Sequence, residues 1–272
     1  MTAMRQPVAV VTGAGRGIGK SIATGLAASG TEVILVSRNP QELENVAEEI
    51  TSHGGRAQVI ATDISTITGV GALVDALTGF PPPSVLVNAA GTFGPIHLIV
   101  DTDPEEWLRT IHTNLFGAYL TSRALAPAMV RQGWGRILNV SSAASLHSPA
   151  VLNSAYATSK VALNQFTRNL AAELDGTGVT ANVFHPGEVK TEMFESIRNQ
   201  IAALEQSIAK DYLAWVEWVE RTGGDSPQKA VDLVSRVIAD GDYVPNGQFL
   251  WIDDPLQAPI PSWPPFSSEK ER

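Results

Sequence analysis

The chain predicts an α/β single domain built on a doubly wound parallel sheet, with about seven strands and helices on both faces. Three observations lead there. Short apolar runs alternate with longer helical patterns over most of the 272 residues. The runs are apolar almost continuously, as in strands buried on both faces. A glycine-rich turn joins the first run to the first helical stretch.

Each element has its own signal. VAVVT (8–12) reads as a buried strand, and GIGKSIATGLAASG (17–30) as a helix ended by Gly30. EVILVS (32–37) is the next strand. PQELENVAEEITSHG (40–54) is a helix with acidic residues early and a glycine stop. AQVIATD (57–63) is a strand, GVGALVDALTG (69–79) a weaker helix and SVLVNAAG (84–91) a strand. The stretch 103–133 predicts one long helix with Pro127 near its end. GRILNVSS (135–142) is a strand, 154–178 a long helix and VTANVFHPG (179–187) a strand. Residues 192–222 are helical and carry Tyr212, Trp215 and Trp218 on closely spaced turns. A helix over 226–241 has Ser226 as N-cap and Pro227 at its first position, and GQFLWID (247–253) is the last strand. No linker divides residues 1–254, and 255–272 form a Pro-rich tail without a period.

Composition excludes several classes. A net charge of −9 argues against nucleic acid or an anionic membrane as partner. The absence of cysteine removes disulfides, thiolate catalysis and Cys-held metals. The first strand begins too early to follow a signal peptide, and no uncharged apolar run reaches the roughly 18 residues of a membrane span. A soluble cytoplasmic protein is expected.

VVTGAGRGIGKSIA places glycines at 13, 15, 17 and 19. Such a turn lets backbone N–H groups at a helix N-terminus approach a pyrophosphate with no Cβ in the way, as in Rossmann folds. The second strand ends LVSRN, so Ser37 and Arg38 stand where NAD-selective folds carry an acid. A guanidinium pairs with a 2′-phosphate, and Arg16 in the turn faces the same way. NADP(H) is therefore expected over NAD(H).

SAYATSK (154–160) puts Tyr156 and Lys160 four positions apart, on one face of a helix. Together with the glycine turn, VNAAG (87–91), GRILNVSS (135–142), YATSK (156–160) and HPGEVKT (185–191), this pattern resembles the short-chain dehydrogenase/reductase family, classical type. The resemblance implies a hydride-transferring oxidoreductase acting on a small-molecule ketone, aldehyde or alcohol. Tyr156 would be the general acid/base. Lys160 would bind the nicotinamide ribose and lower the Tyr156 pKa, by about 1–3 units if the ammonium is close. Ser142 would hold the substrate carbonyl, with Ser141 as the competing choice, and Asn114 would hold a relay water. Cofactor contacts carry over to Gly13, Gly15, Arg16, Gly17, Ile18, Gly19, Ser37, Arg38, Asp63, Ile64, Asn88, Ala90, Gly91, Pro186, Gly187, Val189 and Thr191, besides Tyr156 and Lys160. No metal is implied. A homodimer through the helices at 103–133 and 154–175, or a homotetramer, is expected. The ending WIDDPLQ departs from the family's usual strand and Asp-Gly-Gly, which puts the tetramer contact in question.

Substrate identity falls in the least regular stretches. His147 and Asn153 flank the loop between Ser142 and Tyr156, and Glu188 lies in the nicotinamide loop as a substrate contact or a paired structural acid. His185 reads as a core residue. Residues 192–222 are a lid or a packed helix. Two alternatives to carbonyl reduction stay open: a dinucleotide-binding sensor or scaffold with little turnover, and a reductase of C=N or C=C bonds.

Overall fold

The structure is a computed structural model that describes residues 7–146, 150–239 and 244–253. His147 and the Pro-rich tail expected at 255–272 lie outside the described residues.

Seven parallel strands form one sheet in the order β3-β2-β1-β4-β5-β6-β7. They are β1 (Val8–Thr12), β2 (Glu32–Ser37), β3 (Arg56–Ala61), β4 (Val85–Asn88), β5 (Gly135–Val140), β6 (Val179–His185) and β7 (Phe249–Trp251). All seven predicted strands are present, with ends shifted by a few residues. Val, Ile, Leu and Ala fill β1, β2 and β4 on both faces, which leaves these strands stable only under helices on each side. Chain order reverses between β1 and β4. That point opens a crevice at the carboxyl ends of the strands, where folds of this architecture bind ligands.

One face of the sheet is covered by α1 (Gly17–Ala28), α2 (Pro40–Ser52) and α9 (Pro227–Ile238), which bury Ile22, Leu26, Leu43 and Val234. On the other face, α3 (Ile67–Ala76), α5 (Gly117–Gln132) and α6 (Ser154–Glu173) bury Leu73, Leu125 and Met129. A smaller cluster lies apart from both. In it α7 (Glu192–Ile201) and α8 (Gln206–Thr222) enclose Phe194, Ile197, Val216 and Val219 with Ile96 and Leu152.

Two long predicted helices differ in the structure. The 103–133 stretch is α4 (Pro104–Ile111), a π-helical turn at His112–Phe116, then α5. The extra residue in that turn rotates the following helix relative to α4, and such turns often mark functional positions. The 192–222 stretch is two helices, since the chain leaves helical geometry between Ile201 and Gln206.

Polar side chains cross the apolar sheet in one connected row. Thr121 Oγ1 donates to Asn88 Oδ1 at 2.8 Å, Asn88 Nδ2 to Asn139 Oδ1 at 2.8 Å, and Asn139 Nδ2 to Thr167 Oγ1 at 2.8 Å. The row joins α5, β4, β5 and α6. Each buried polar atom on it is stable only while its neighbour stays. Asn139→Ala strands groups on both sides of it and is expected to lower stability by about 2–4 kcal/mol, read as a fall in the urea midpoint at constant slope.

Candidate active site

The glycine turn is formed between β1 and α1. Gly13 has φ +67, and a Cβ there would lie 2.7 Å from Ala90 Cα; a Cβ on Gly19 would lie 2.3 Å from the Gly13 carbonyl oxygen. Both positions therefore exclude any larger residue. The turn closes against Ala90, whose N–H donates to Thr12 Oγ1 at 3.2 Å. Helix α1 begins with no side-chain cap and no acid in its first turn, whereas Asn39, Thr66, Asp103, Thr191 and Ser226 cap α2, α3, α4, α7 and α9. Helices α6 and α8 also begin without a side-chain cap, so in α1 it is the glycine turn ahead of the uncapped amides that is distinctive. Ile18 packs partly buried on the core below the turn. Thr191 approaches Gly17 from across the crevice, its Cγ2 3.6 Å from where a Gly17 Cβ would be. Arg16 and Arg38 are exposed and outside any ion pair among the described residues.

Sequence reasoning missed one neighbour of this turn. Glu42, from the first turn of α2, places its Oε2 2.8 Å from a Gly15 Cβ position, with Ser37 Oγ 3.3 Å from the same point. An acid four residues beyond Arg38 was the available signal.

Several predicted cofactor residues have side chains committed to the protein itself. Asn88 belongs to the buried row, its side-chain amide committed to Asn139 and Thr121. Asp63 Oδ1 accepts from Ser65 N at 3.0 Å and Ser65 Oγ at 2.7 Å. Ile64 is buried beneath α5. Pro186, Gly187 and Val189 lie in the loop after β6. The N–H of Glu188 donates to Asp225 Oδ2 at 2.9 Å, and the N–H of Asp225 donates to the Glu188 carbonyl at 3.0 Å. This reciprocal pair clamps the loop to the start of α9. Lys229 holds Asp225 at 2.9 Å and Asp253 at 2.7 Å.

Tyr156 and Lys160 share a face of α6, as the four-residue spacing requires. The Lys160 Nζ lies 5.5 Å from the Tyr156 ring centroid and donates to the Val140 carbonyl at 2.8 Å. Lys160 is only 4% exposed, and burial pulls its pKa down to about 8. A Cβ on Gly91 would lie 3.3 Å from Asn114 Oδ1 and 3.7 Å from Lys160 Nζ, so all three line one wall. Tyr156 differs from the expectation of a lowered pKa. Burial pushes it up to about 12, a hydrogen bond with the Ser142 side chain works against the rise, and the Glu188 charge adds to it. The ammonium beside the ring does not outweigh desolvation in the protein alone.

The adjacent serines are separated by their partners. Ser142 interacts with the phenol and accepts from Ala144 N at 3.2 Å. Ser141 is 1% exposed and donates to Asn164 Oδ1 at 2.6 Å, behind the loop. Asn114, set by the π-helical turn, accepts from Thr92 N at 2.8 Å and donates to Thr92 O at 2.8 Å and Ser159 Oγ at 3.0 Å. Both amide protons are committed, so its side chain fastens the loop after β4 to α6.

A model of the short chain dehydrogenase family matches residues 7–202. The chain belongs to the short-chain dehydrogenase/reductase family, classical type. It is similar to the short-chain reductase protein NovJ of Streptomyces niveus, 39% identical over 76% of this chain and 78% of that protein. It is 34% identical to an NADPH-dependent aldehyde reductase-like chloroplastic protein of Arabidopsis thaliana, over 89% of this chain and 91% of the relative. An actinorhodin polyketide ketoreductase crystallised with NADPH superposes with TM-score 0.82 at 29% identity, covering 92% of this chain and 97% of that one. Among the described residues this dehydrogenase-family chain has no metal-holding cluster and no helix long and apolar enough to cross a membrane.

The buried ammonium carries a stability consequence. Its folded pKa lies below the unfolded value, so charging Lys160 opposes folding below that folded pKa, and the penalty fades as pH rises from about 8 towards the unfolded value. Lys160→Met in the protein without dinucleotide is expected to raise stability at pH 7 by about 1–3 kcal/mol. That gain should shrink in denaturation curves taken at pH 10.

Proposed function

We propose that the protein is an NADP(H)-dependent oxidoreductase that reduces a ketone or aldehyde to an alcohol, or runs the reverse. The observation that carries this reading is the meeting of Tyr156, Ser142 and Lys160 at one wall of the crevice, opposite an uncapped glycine turn. The glycine turn and the α1 amides would hold the pyrophosphate. Arg38 and Arg16 would pair with a 2′-phosphate, while Glu42 beside Gly15 opposes it. Lys160 would hold the nicotinamide ribose, with Pro186, Gly187, Val189 and Thr191 around the ring. When bound, the dinucleotide supplies or accepts the hydride.

The chain's own groups manage the proton. Ser142 and Tyr156 both point a hydroxyl at the carbonyl oxygen, so charge developing there meets two donors. Tyr156 Oη then gives up its proton to that oxygen. A phenol at about 12 is a poor acid at neutral pH, so the bound state must lower it. Lys160 does so by turning from the Val140 carbonyl towards the cleft, where its charge favours the phenolate. Asn114 positions this wall by tying Thr92 to Ser159, and a relay water would rest on its main-chain carbonyl rather than on its amide protons. The protein is expected to act on a small molecule in solution, as a homodimer or homotetramer in the cytoplasm.

Tyr156→Phe should lower NADPH-dependent turnover of a carbonyl panel by about 10²–10⁴-fold while NADPH titration still shows binding. Unchanged turnover would defeat the acid role. Arg38→Asp should weaken NADPH binding at least about tenfold and leave NADH binding unharmed. A native preference for NADH, measured by fluorescence titration, would overturn the cofactor assignment.

A further inference from the structure

The loop after β6 carries an acid that the proton chemistry above does not use. Glu188 has its backbone fixed on both sides by Asp225. Its side chain lies between two walls, close enough for its charge to act on Tyr156. On one wall, Trp215 Nε1 donates to Glu188 Oε2 at 3.1 Å. Trp215 packs edge-on against Tyr212, Tyr212 edge-on against Phe93, and Phe93 stacks on Tyr156 at 4.6 Å. On the other wall stands His185. Its Nδ1 accepts from Ala143 N at 3.3 Å, which leaves the proton on Nε2, and Nε2 lies 3.6 Å from Glu188 Oε1. Ala143 follows Ser142 directly, so this wall too ends at the phenol's partner.

The carboxylate is under-satisfied for a structural acid. An ionised carboxylate offers about four acceptor sites. Glu188 has one hydrogen bond within normal length and no Lys or Arg partner among the described residues. Its side chain is 28% exposed. Of the charged groups nearby, Asp225 is paired with Lys229, and Lys160 is the group that would hold the nicotinamide ribose. Burial raises the Glu188 pKa first, and the Trp215 bond holds it down.

We propose that Glu188 is the specificity-determining group of the site: it accepts a hydrogen bond from a hydroxyl or ammonium carried by the carbonyl substrate, and it turns away substrates bearing a carboxylate or phosphate. This rests on the carbonyl-reductase reading above. The three rings of Phe93, Tyr212 and Trp215 beside the carboxylate suit a compact polar group on an otherwise apolar body, and a cation most of all. An anion in the same place would lie directly against the Glu188 carboxylate.

The test uses the full chain with NADPH and four ketones of equal length: unsubstituted, hydroxy-, amino- and carboxy-bearing. Wild type is expected to show kcat/KM for the hydroxy and amino ketones at least about tenfold above that for the keto acid. Glu188→Gln, which keeps an acceptor for Trp215, should collapse the amino-to-carboxy ratio by about tenfold or more, chiefly through KM. A collapse that spares the hydroxy ketone assigns ammonium as the preferred group, and one that includes it assigns a general donor. An unchanged ratio, or a wild type that takes the keto acid as readily as the amino ketone, overturns the inference while leaving carbonyl reduction intact. Bound NADPH with no reduction of any of the four overturns the underlying reading instead. If Glu188→Gln does not fold, Glu188→Ala measured against the same four ketones takes its place, with the same collapse expected and an unchanged ratio overturning the inference.

Discussion

The site depends on keeping one ammonium out of water. Lys160 is almost wholly buried, and its one strong partner in the protein alone is the carbonyl that ends β5. Desolvating a charge for a single neutral acceptor is unfavourable, so the surrounding packing must enforce it. Two elements do so. Helix α6 supplies the direction of the side chain, and β5 supplies the carbonyl at the carboxyl end of the sheet. The ammonium is thus held in tension, and in the proposed function an oxygen-rich ligand would give it a better partner.

The rest of the architecture divides into a rigid frame and an adjustable wall. The frame is the polar row from Thr121 to Thr167, which pins α5 and α6 to neighbouring strands. Asn114 extends that frame to the loop after β4. The wall is aromatic: Phe93, Tyr212 and Trp215 meet at ring distances of 6.1 and 6.5 Å, edge to face. Rings in such contact lose little when they tilt, whereas a buried amide row tolerates almost no displacement.

Much of the fold was legible because its signals are local. Continuous apolar runs marked the strands, and Ser226 followed by Pro227 marked the start of a helix. The π-helical turn at His112–Phe116 was not legible, since one inserted residue scarcely alters apolar spacing over 103–133. The inward face of Asn88 was hidden for a related reason: a motif gives a position, and only strand register says which way the side chain points. The Tyr156 pKa was misjudged because spacing reveals the cation nearby but not the loss of water around the phenol. Glu42 against Gly15 was missed because the contact joins two elements through space. The serine pair was separable only once Asn164 was seen to claim Ser141.

Helices α7 and α8 have an apolar cluster of their own, built on Phe194, Ile197 and Val219 and separate from the two clusters that clothe the sheet. A part that supplies its own interior can change its surface without disturbing its host. Mutations along α8 would then remodel what enters the crevice while the dinucleotide platform stays as it was. Descent with new chemistry in such a chain needs only a new roof over an inherited foundation.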